Sequence, residues 1–334
     1  MPRSAPSLCC RVLFLSFLIL SAVALAQTSI DEVHVTPRER TVAISSANRA
    51  RLPAASLIRA SVDLVLVPVT ITDDFNRPVI GLEQENFQVF ENKKPQEIKD
   101  FSSVDAPISV GIILDTSGSM AYKLERARDA VIQFCNIANP QDEFFMITFA
   151  DAPRLVTDFT TNTEEIENDL LTVQSHGRTS LLDAIYLGLR KMRSARYPRK
   201  ALIIISDGGD NHSRYSERDI RAAVKEADVM IYAIGTYDGY VTTQEELLGP
   251  ELLRSITSVT GGRTFTLTDP KDMPQVTRAI GTQLRHQYVI AYEPQAKPHD
   301  GKWHKISVKL RLPRKLNNLF LHVDARAGYY AGEE

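Results

Sequence analysis

The feature that most constrains the fold is a series of short apolar runs separated by helical stretches. Residues 108–114, 144–149 and 201–206 are almost continuously apolar, as expected for strands that are buried on both faces of a parallel sheet. Between them, for example over residues 124–138, apolar side chains recur at three- and four-residue steps, which predicts amphipathic helices. This alternation predicts a doubly wound, Rossmann-like α/β domain with a mainly parallel sheet, which we assign to residues 105–285.

The segments on either side of this domain have the alternating pattern of half-buried β-strands. Residues 59–104 contain short strands separated by turns, and residues 286–334 return to the same pattern. We predict that the two segments form one small β-sandwich into which the α/β domain is inserted, because chain ends that lie close together tolerate such insertions. Two separate β modules are the alternative.

The beginning of the chain has the pattern of a secretory signal peptide. Arginines precede an apolar run over residues 12–24, and Ala24-Leu25-Ala26 supplies a small-x-small cleavage site. The run is short for a transmembrane span, and no later stretch approaches the roughly 20 apolar residues that a span requires. We therefore expect residues 1–26 to be removed on export to the periplasm or the extracellular space, with an uncleaved anchor as the alternative. Residues 27–58 are predicted to form a polar linker or extended arm.

Composition and charge narrow the class of protein. Of the 334 residues, 43% are hydrophobic and 24% are charged, which is typical of a globular chain. The formal net charge of -2 argues against nucleic acid as a partner, because nucleic-acid binding normally needs a basic surface. Cys135 alone follows the signal segment, so neither an internal disulfide nor a cysteine metal cluster is expected, and its place on a helix predicts core packing.

Oxygen-bearing side chains occupy three loops that are expected to meet at one edge of the sheet. The stretch Asp115-Thr-Ser-Gly-Ser119 directly follows one apolar run, Asp207 follows another, and Thr179 directly precedes a helix. Ligands bind at the carboxyl ends of the strands in open α/β sheets. Carboxylates and hydroxyls are hard ligands that suit Mg²⁺, Ca²⁺ or Mn²⁺ rather than a soft metal. The sequence therefore predicts a divalent-cation site formed by Asp115, Ser117, Ser119, Thr179 and Asp207.

Together these loops resemble the metal-ion-dependent adhesion site of von Willebrand factor A domains, and the similarity extends over residues 107–285. The resemblance implies that the two serines and Thr179 contact the metal directly, while Asp115 and Asp207 act directly or through water. The resemblance implies that Mg²⁺ is the bound cation, with Ca²⁺ or Mn²⁺ as alternatives. It also implies a protein partner whose Glu or Asp side chain completes the metal shell. The flanking β segments resemble, more loosely, those of an exported bacterial group best known from Acidobacteria.

The expected function is therefore metal-dependent protein binding or adhesion without enzymatic activity. One alternative is a structural cell-envelope protein with a vestigial metal site. Another is a metal-dependent hydrolase with Asp115 as phosphoryl acceptor or Ser117 as nucleophile. Phosphatases with an aspartate nucleophile usually carry a second Asp where Ser117 stands, and the sequence has neither a Gly-x-Ser-x-Gly elbow nor a P-loop.

Several polar residues near these loops have no assigned role at this stage. Asp210, Asn211 and His212 follow Asp207, and ordinary loop positions are expected for them, with the rim of the site as the alternative. Tyr237 is expected to belong to a surface loop, with a contact surface near the same face as the alternative.

Overall fold

The structure of the chain is a computed structural model that describes residues 64–237, 244–294, 300–312 and 320–331. The predicted signal peptide (1–26) and the predicted linker (27–58) lie outside the described residues.

The strands alternate with helices in the middle of the chain and follow one another directly at its two ends. In chain order the strands are β1 (Val65–Asp73), β2 (Phe87–Glu91), β3 (Lys94–Gln96), β4 (Ile98–Ser102), β5 (Ser109–Asp115), β6 (Glu143–Phe149), β7 (Pro153–Thr160), β8 (Lys200–Ser206), β9 (Met230–Thr236), β10 (Thr264–Leu267), β11 (Tyr288–Tyr292), β12 (Trp303–Leu310), β13 (Leu321–Ala325) and β14 (Gly328–Tyr330). The α-helices are α1 (Leu124–Ile137), α2 (Thr163–Thr172), α3 (Leu181–Met192), α4 (Glu217–Glu226), α5 (Gln244–Thr257) and α6 (Met273–Arg285).

The central sheet is buried on both faces, as the apolar runs predict. Among the described residues it has six strands in the order β10-β9-β8-β5-β6-β7. β7 is antiparallel to β6, and the other neighbouring pairs are parallel. Leu114 of β5 lies opposite Ile205 of β8, so the chain leaves both strands at the same edge of the sheet.

Helices cover both faces of this sheet. One apolar cluster packs α1, α2 and α6 against one face, and a second packs α3, α4 and α5 against the other. Cys135 lies in the first cluster and is 4% exposed, which confirms its predicted core position. The predicted doubly wound α/β fold with a mainly parallel sheet is therefore confirmed. Within the described part of the chain, no helix has both the length and the apolar character needed to cross a membrane.

Two further sheets combine strands from before and after the α/β segment. One has the order β13-β1-β11-β4 and the other the order β14-β12-β2-β3. β1 pairs with β11 from Val65 opposite Tyr292 to Val69 opposite Tyr288, and β2 pairs with β12. One apolar cluster, which includes Val67 and Phe87, contains residues from both sheets. The α/β segment thus lies between two β segments that pair with each other.

A buried carboxylate links these two sheets. Glu91 of β2 accepts hydrogen bonds from the hydroxyls of Tyr292 at 2.8 Å and Tyr329 at 3.2 Å. The Nδ1 atom of His304 lies 3.1 Å from the other oxygen of Glu91. Because Tyr292 is in β11 and Glu91 in β2, this group joins one sheet to the other.

Candidate metal centre

The predicted site residues lie in three loops at the carboxyl edge of the central sheet. Asp115 ends β5, and Asp207 follows β8, which is the neighbouring parallel strand. Thr179 lies in the loop that precedes α3. Parallel neighbours end at the same edge, so local sequence and sheet order together place both carboxylates there.

Asp115 is fully buried, and both of its carboxylate oxygens accept hydrogen bonds. Oδ1 accepts from the backbone N–H of Ser117 at 2.9 Å, which turns the chain back after β5. Oδ2 accepts from the hydroxyl of Ser206 at 2.6 Å. The carboxylate therefore fixes its own loop and the end of β8 at the same time.

The two serines of the first loop present their hydroxyls side by side. A single 3-10 turn over Gly118–Met120 follows Ser117, and the Oγ atoms of Ser117 and Ser119 are 3.1 Å apart. Ser117 is buried and Ser119 is exposed. The backbone N–H of Gly118 donates to the carbonyl of Gly177 at 3.1 Å, which joins this loop to the loop that carries Thr179.

The loop of Thr179 is joined in turn to the loop of Asp207. The side-chain oxygen of Asn211 accepts from the N–H of Thr179 at 3.0 Å, and the carbonyl of Thr179 accepts from the N–H groups of Asn211 and His212. Asp210 accepts from the N–H of Leu182 at 3.2 Å. Asp210 and Asn211 are therefore more than ordinary loop residues, because their side chains hold the second and third loops together.

Asp207 is 4% exposed and has an incompletely satisfied carboxylate. Among the described residues, its Oδ2 atom has no hydrogen-bond partner. The Nζ atom of Lys123 lies 3.6 Å from this oxygen, which is an ion-pair distance rather than a hydrogen bond. The buried edge of the sheet thus holds a carboxylate oxygen with capacity for a further ligand.

Tyr237 directly follows β9, is partly buried and lies close to the loop of Asp207. A Cβ atom added to Gly208 would lie 2.5 Å from the Tyr237 hydroxyl oxygen, and one added to Gly235 would lie 2.7 Å from it. Gly208 and Gly235 have no side chains, and the ring of Tyr237 occupies the space that their side chains would need. Burial, and then the charge of Asp207, raise the pKa of Tyr237.

The carboxylates of Asp115 and Asp207 repel each other in the absence of a cation. Burial and then the charge of Asp207 raise the pKa of Asp115 from 3.8 to about 7, against the opposing effect of the hydrogen bonds from Ser206 and Ser117. A divalent cation between the carboxylates would remove this repulsion. The electrostatics of the edge therefore favour a cation.

The donor set fits a hard cation that relies on hydroxyl oxygens. Within the described ranges, no group of three or more His, Cys, Asp or Glu side chains is arranged to hold a metal ion. Two carboxylates with neighbouring Ser and Thr hydroxyls suit Mg²⁺, Ca²⁺ or Mn²⁺ rather than Zn²⁺. The buried oxygen of Asp207 that lacks a hydrogen-bond donor adds to this fit.

Sequence reasoning missed Lys123 and Ser206 as parts of this edge. Lys123 stands just before α1, where a lysine is typical of a solvated helix end. Ser206 is the last residue of β8, and only the pairing of β8 with β5 brings its hydroxyl to Asp115. For Ser206, the sequence signal was its hydroxyl group directly before Asp207.

Comparison with protein families identifies the central domain. The family model described as von Willebrand factor type A domain matches residues 110–209. This range contains Asp115, Ser117, Ser119, Thr179 and Asp207.

Curated relatives share part of the chain. Inter-alpha-trypsin inhibitor heavy chain H4 from Bos taurus is 24% identical over 170 residues, which is 45% of this chain and 18% of that protein. A UPF0353 protein from Mycolicibacterium gilvum is 22% identical over 205 residues, 54% of this chain and 61% of that protein. The chain thus spans less than a fifth of the length of the bovine relative.

Solved structures resemble the chain at low identity. A von Willebrand factor type A protein from Catenulispora acidiphila has a TM-score of 0.48 at 13% identity, over 78% of this chain and 73% of that one. The corresponding domain of the type V pili tip protein Mfa5 from Porphyromonas gingivalis has a TM-score of 0.45 at 13% identity, over 54% of this chain and 96% of that one.

Proposed function

Because the chain contains a von Willebrand factor type A domain, we propose that it is a non-enzymatic binding protein that recognises a protein partner through a divalent cation. The ligands are proposed to be Asp115, Ser117, Ser119, Thr179 and Asp207. Mg²⁺ is the proposed cation, with Ca²⁺ or Mn²⁺ as alternatives. An Asp or Glu side chain of the partner is proposed to complete the cation's shell.

The observation that carries this proposal is the Oδ2 atom of Asp207. It is buried at the carboxyl edge of the sheet, accepts no hydrogen bond from the described residues, and lies close enough to Asp115 for its charge to raise that residue's pKa. A buried carboxylate without a full set of partners is costly in a folded protein. A binding site for a cation explains why such an arrangement persists.

The chain's own residues are suited to leave a bound cation incompletely neutralised. Both oxygens of Asp115 already accept hydrogen bonds from Ser117 and Ser206, which spreads the negative charge of that carboxylate over protein donors. The remaining ligands of the first two loops are neutral hydroxyls. When bound, the cation supplies an electrophilic position that attracts a carboxylate. The three joined loops hold the ligands in place before the partner arrives.

We also propose that the protein acts outside the cytoplasm. Support for export comes from the apolar run over residues 12–24 with its small-x-small end. Detection of the chain beginning at Gln27 in the exported fraction is the expected result, and an intact Met1 in the cytosol would contradict it.

The experiment that tests the proposed function is calorimetric titration of the EDTA-stripped protein with Mg²⁺, Mn²⁺ and Ca²⁺. Saturable binding is expected in the wild type and in Asp100→Ala, which changes an exposed carboxylate on β4. Asp115→Ala and Asp207→Ala are expected to abolish binding while the circular dichroism spectrum stays native. The titration is repeated with millimolar acetate as a substitute for the partner's carboxylate. Absence of binding in the wild type under both conditions would rule the metal site out.

A further inference from the structure

A buried lysine lies beside the candidate metal centre. Lys123 is 2% exposed, and its ammonium is 3.6 Å from the Oδ2 atom of Asp207. The same ammonium donates to the carbonyl of Thr236, at the end of β9, over 3.4 Å. It also lies 5.2 Å from the centre of the Tyr122 ring. Lys123 is not one of the proposed ligands, so a positive charge lies directly beside a ligand carboxylate.

Because the Lys123 ammonium is buried, its charge acts strongly on the neighbouring carboxylate of Asp207. The side chains of Lys123 and Asp207 are 3% and 5% exposed, so water and salt screen their interaction only weakly. Burial of an ammonium is costly unless an anion compensates it. In the cation-free protein the charges of Lys123 and Asp207 offset each other in part, while the Oδ2 atom of Asp207 still lacks a hydrogen bond.

The charge balance changes when a cation enters. With both Asp115 and Asp207 ionised, these two carboxylates and the Lys123 ammonium have a summed formal charge of minus one. A divalent cation changes the sum over these groups to plus one, whereas the sum without the ammonium would be zero. The additional positive charge attracts the carboxylate of a partner.

We infer that Lys123 is a specificity-determining residue that weakens cation binding in the free protein and strengthens the loaded site's affinity for a carboxylate. The cation and the acidic partner then bind cooperatively, because the partner's negative charge offsets the repulsion between the cation and the ammonium. This inference rests on the proposed function and adds that the cation binds more tightly when the acidic partner is present. The partner chemistry that fits is an acidic side chain.

The test is titration of the EDTA-stripped protein with Mn²⁺ at pH 8, with and without acetate, for the wild type and Lys123→Met. Methionine keeps an unbranched side chain that ends one heavy atom earlier and removes the charge. The variant is expected to bind Mn²⁺ about tenfold more tightly or better, because a charge repulsion close to the cation is lost. Acetate is expected to tighten Mn²⁺ binding in the wild type and to have a much smaller effect in the variant.

Two further variants keep the result interpretable. Lys309→Met removes an exposed charge on β12 and is expected to bind Mn²⁺ and respond to acetate as the wild type does. Lys123→Gln keeps a donor for the carbonyl of Thr236 and replaces Lys123→Met if the methionine variant does not fold. The melting curve of each variant reports its folding independently of cation binding.

The outcomes separate the inference from the proposed function. Tighter Mn²⁺ binding with a reduced acetate effect in the Lys123 variants supports the inference. Mn²⁺ binding in the wild type with equal or weaker binding in folded Lys123 variants overturns the inference and leaves the proposed function intact. Absence of Mn²⁺ binding in the wild type and in all variants overturns both.

Discussion

Ser206 donates a hydrogen bond of 2.6 Å to the Oδ2 atom of Asp115, and this bond joins the ends of the neighbouring strands β8 and β5. Both residues are fully buried. The same hydroxyl oxygen accepts from the N–H of Gly208 at 3.0 Å. One hydroxyl therefore orients the carboxylate of the first loop and the backbone that follows Asp207. The geometry of the candidate metal centre depends on a side chain that is not itself a proposed ligand.

Replacement of Ser206 by alanine is expected to destabilise the protein. The change leaves one oxygen of a buried carboxylate and one backbone N–H without a partner, which costs about 1–3 kcal/mol. Urea denaturation of the EDTA-treated protein measures the loss. Ser194→Ala, at an exposed serine after α3, is the control and should change the free energy of unfolding by less than about 0.5 kcal/mol. Equal effects of the two substitutions would contradict a structural role for Ser206.

The contribution of Asp115 to the stability of the cation-free protein is expected to fall as pH rises from about 4 to about 7. The pKa of Asp115 is 3.8 in its ordinary state and about 7 in the folded chain, because of burial and the charge of Asp207. At Asp115 the folded state therefore binds a proton more tightly than the unfolded state, so this residue's contribution to the free energy of unfolding decreases through this interval and levels off above it.

Urea denaturation in EDTA across this pH range, for the wild type and Asp115→Asn, isolates the effect. Other carboxylates, including Asp142 and Asp210, also have raised pKa values, but they are common to both proteins. The difference between the two curves is therefore expected to slope downward with pH. Curves that remain parallel from pH 4 to pH 8 would show that Asp115 does not titrate as inferred.

The parts of the structure that follow from local pattern were predictable from the sequence. Continuous apolar runs mark β5, β6 and β8 because both faces of each strand are covered by helices. The motif from Asp115 to Ser119 is contiguous, so its position after a strand places it at a known edge of the sheet. The positions of Thr179 before a helix and of Asp207 after a buried strand added them as further members of the site, and the resemblance to a family agreed with this set.

The supporting residues were not predictable, because their roles depend on which loops the fold brings together. Asn211 contacts Thr179 across 32 positions of the sequence, and Ser206 contacts Asp115 across 91. Lys123 has the sequence context of a solvated helix start, and only the close approach of α1 to the end of β9 buries its ammonium. Tyr237 can approach the loop of Asp207 because Gly208 and Gly235 leave room for its ring.

Removal of the Glu91 side chain is expected to weaken the β-sandwich. Glu91→Ala leaves the hydroxyl of Tyr292, which donates to Glu91 at 2.8 Å, without an acceptor in a buried position. It also removes the acceptor of the Tyr329 hydroxyl. The expected loss in the free energy of unfolding is about 3 kcal/mol, measured by urea denaturation.

The matched control for this substitution is Glu97→Ala. The side chain of Glu97 is 77% exposed and forms a surface ion pair with Lys99, so a change below about 0.5 kcal/mol is expected. If Glu91→Ala were as stable as the control, the carboxylate would not be the link between the two sheets.

A comparison of Gly208→Ala with Gly81→Ala separates the cost of a left-handed alanine from the cost of a steric clash in the loop that carries Asp207. Both glycines have a φ of +81°. Each alanine therefore has a similar cost for a left-handed backbone, about 1 kcal/mol. A Cβ at Gly81 meets nothing within 4 Å, whereas one at Gly208 would lie 2.5 Å from the hydroxyl oxygen of Tyr237 and 2.9 Å from the Cα of Gly249.

Gly208→Ala is therefore expected to lose about 1–3 kcal/mol more than Gly81→Ala in urea denaturation, because Tyr237 and the backbone at Gly249 must move. The added methyl group also displaces the residue that follows Asp207, so cation affinity in calorimetric titration is expected to fall at least severalfold. Gly81→Ala should bind the cation as the wild type does, since it lies in the flanking β segment. Equal stability losses together with unchanged cation affinity in Gly208→Ala would mean that the loop of Asp207 adapts without cost. The position of that carboxylate would then not be set by the packing of Tyr237 against Gly208.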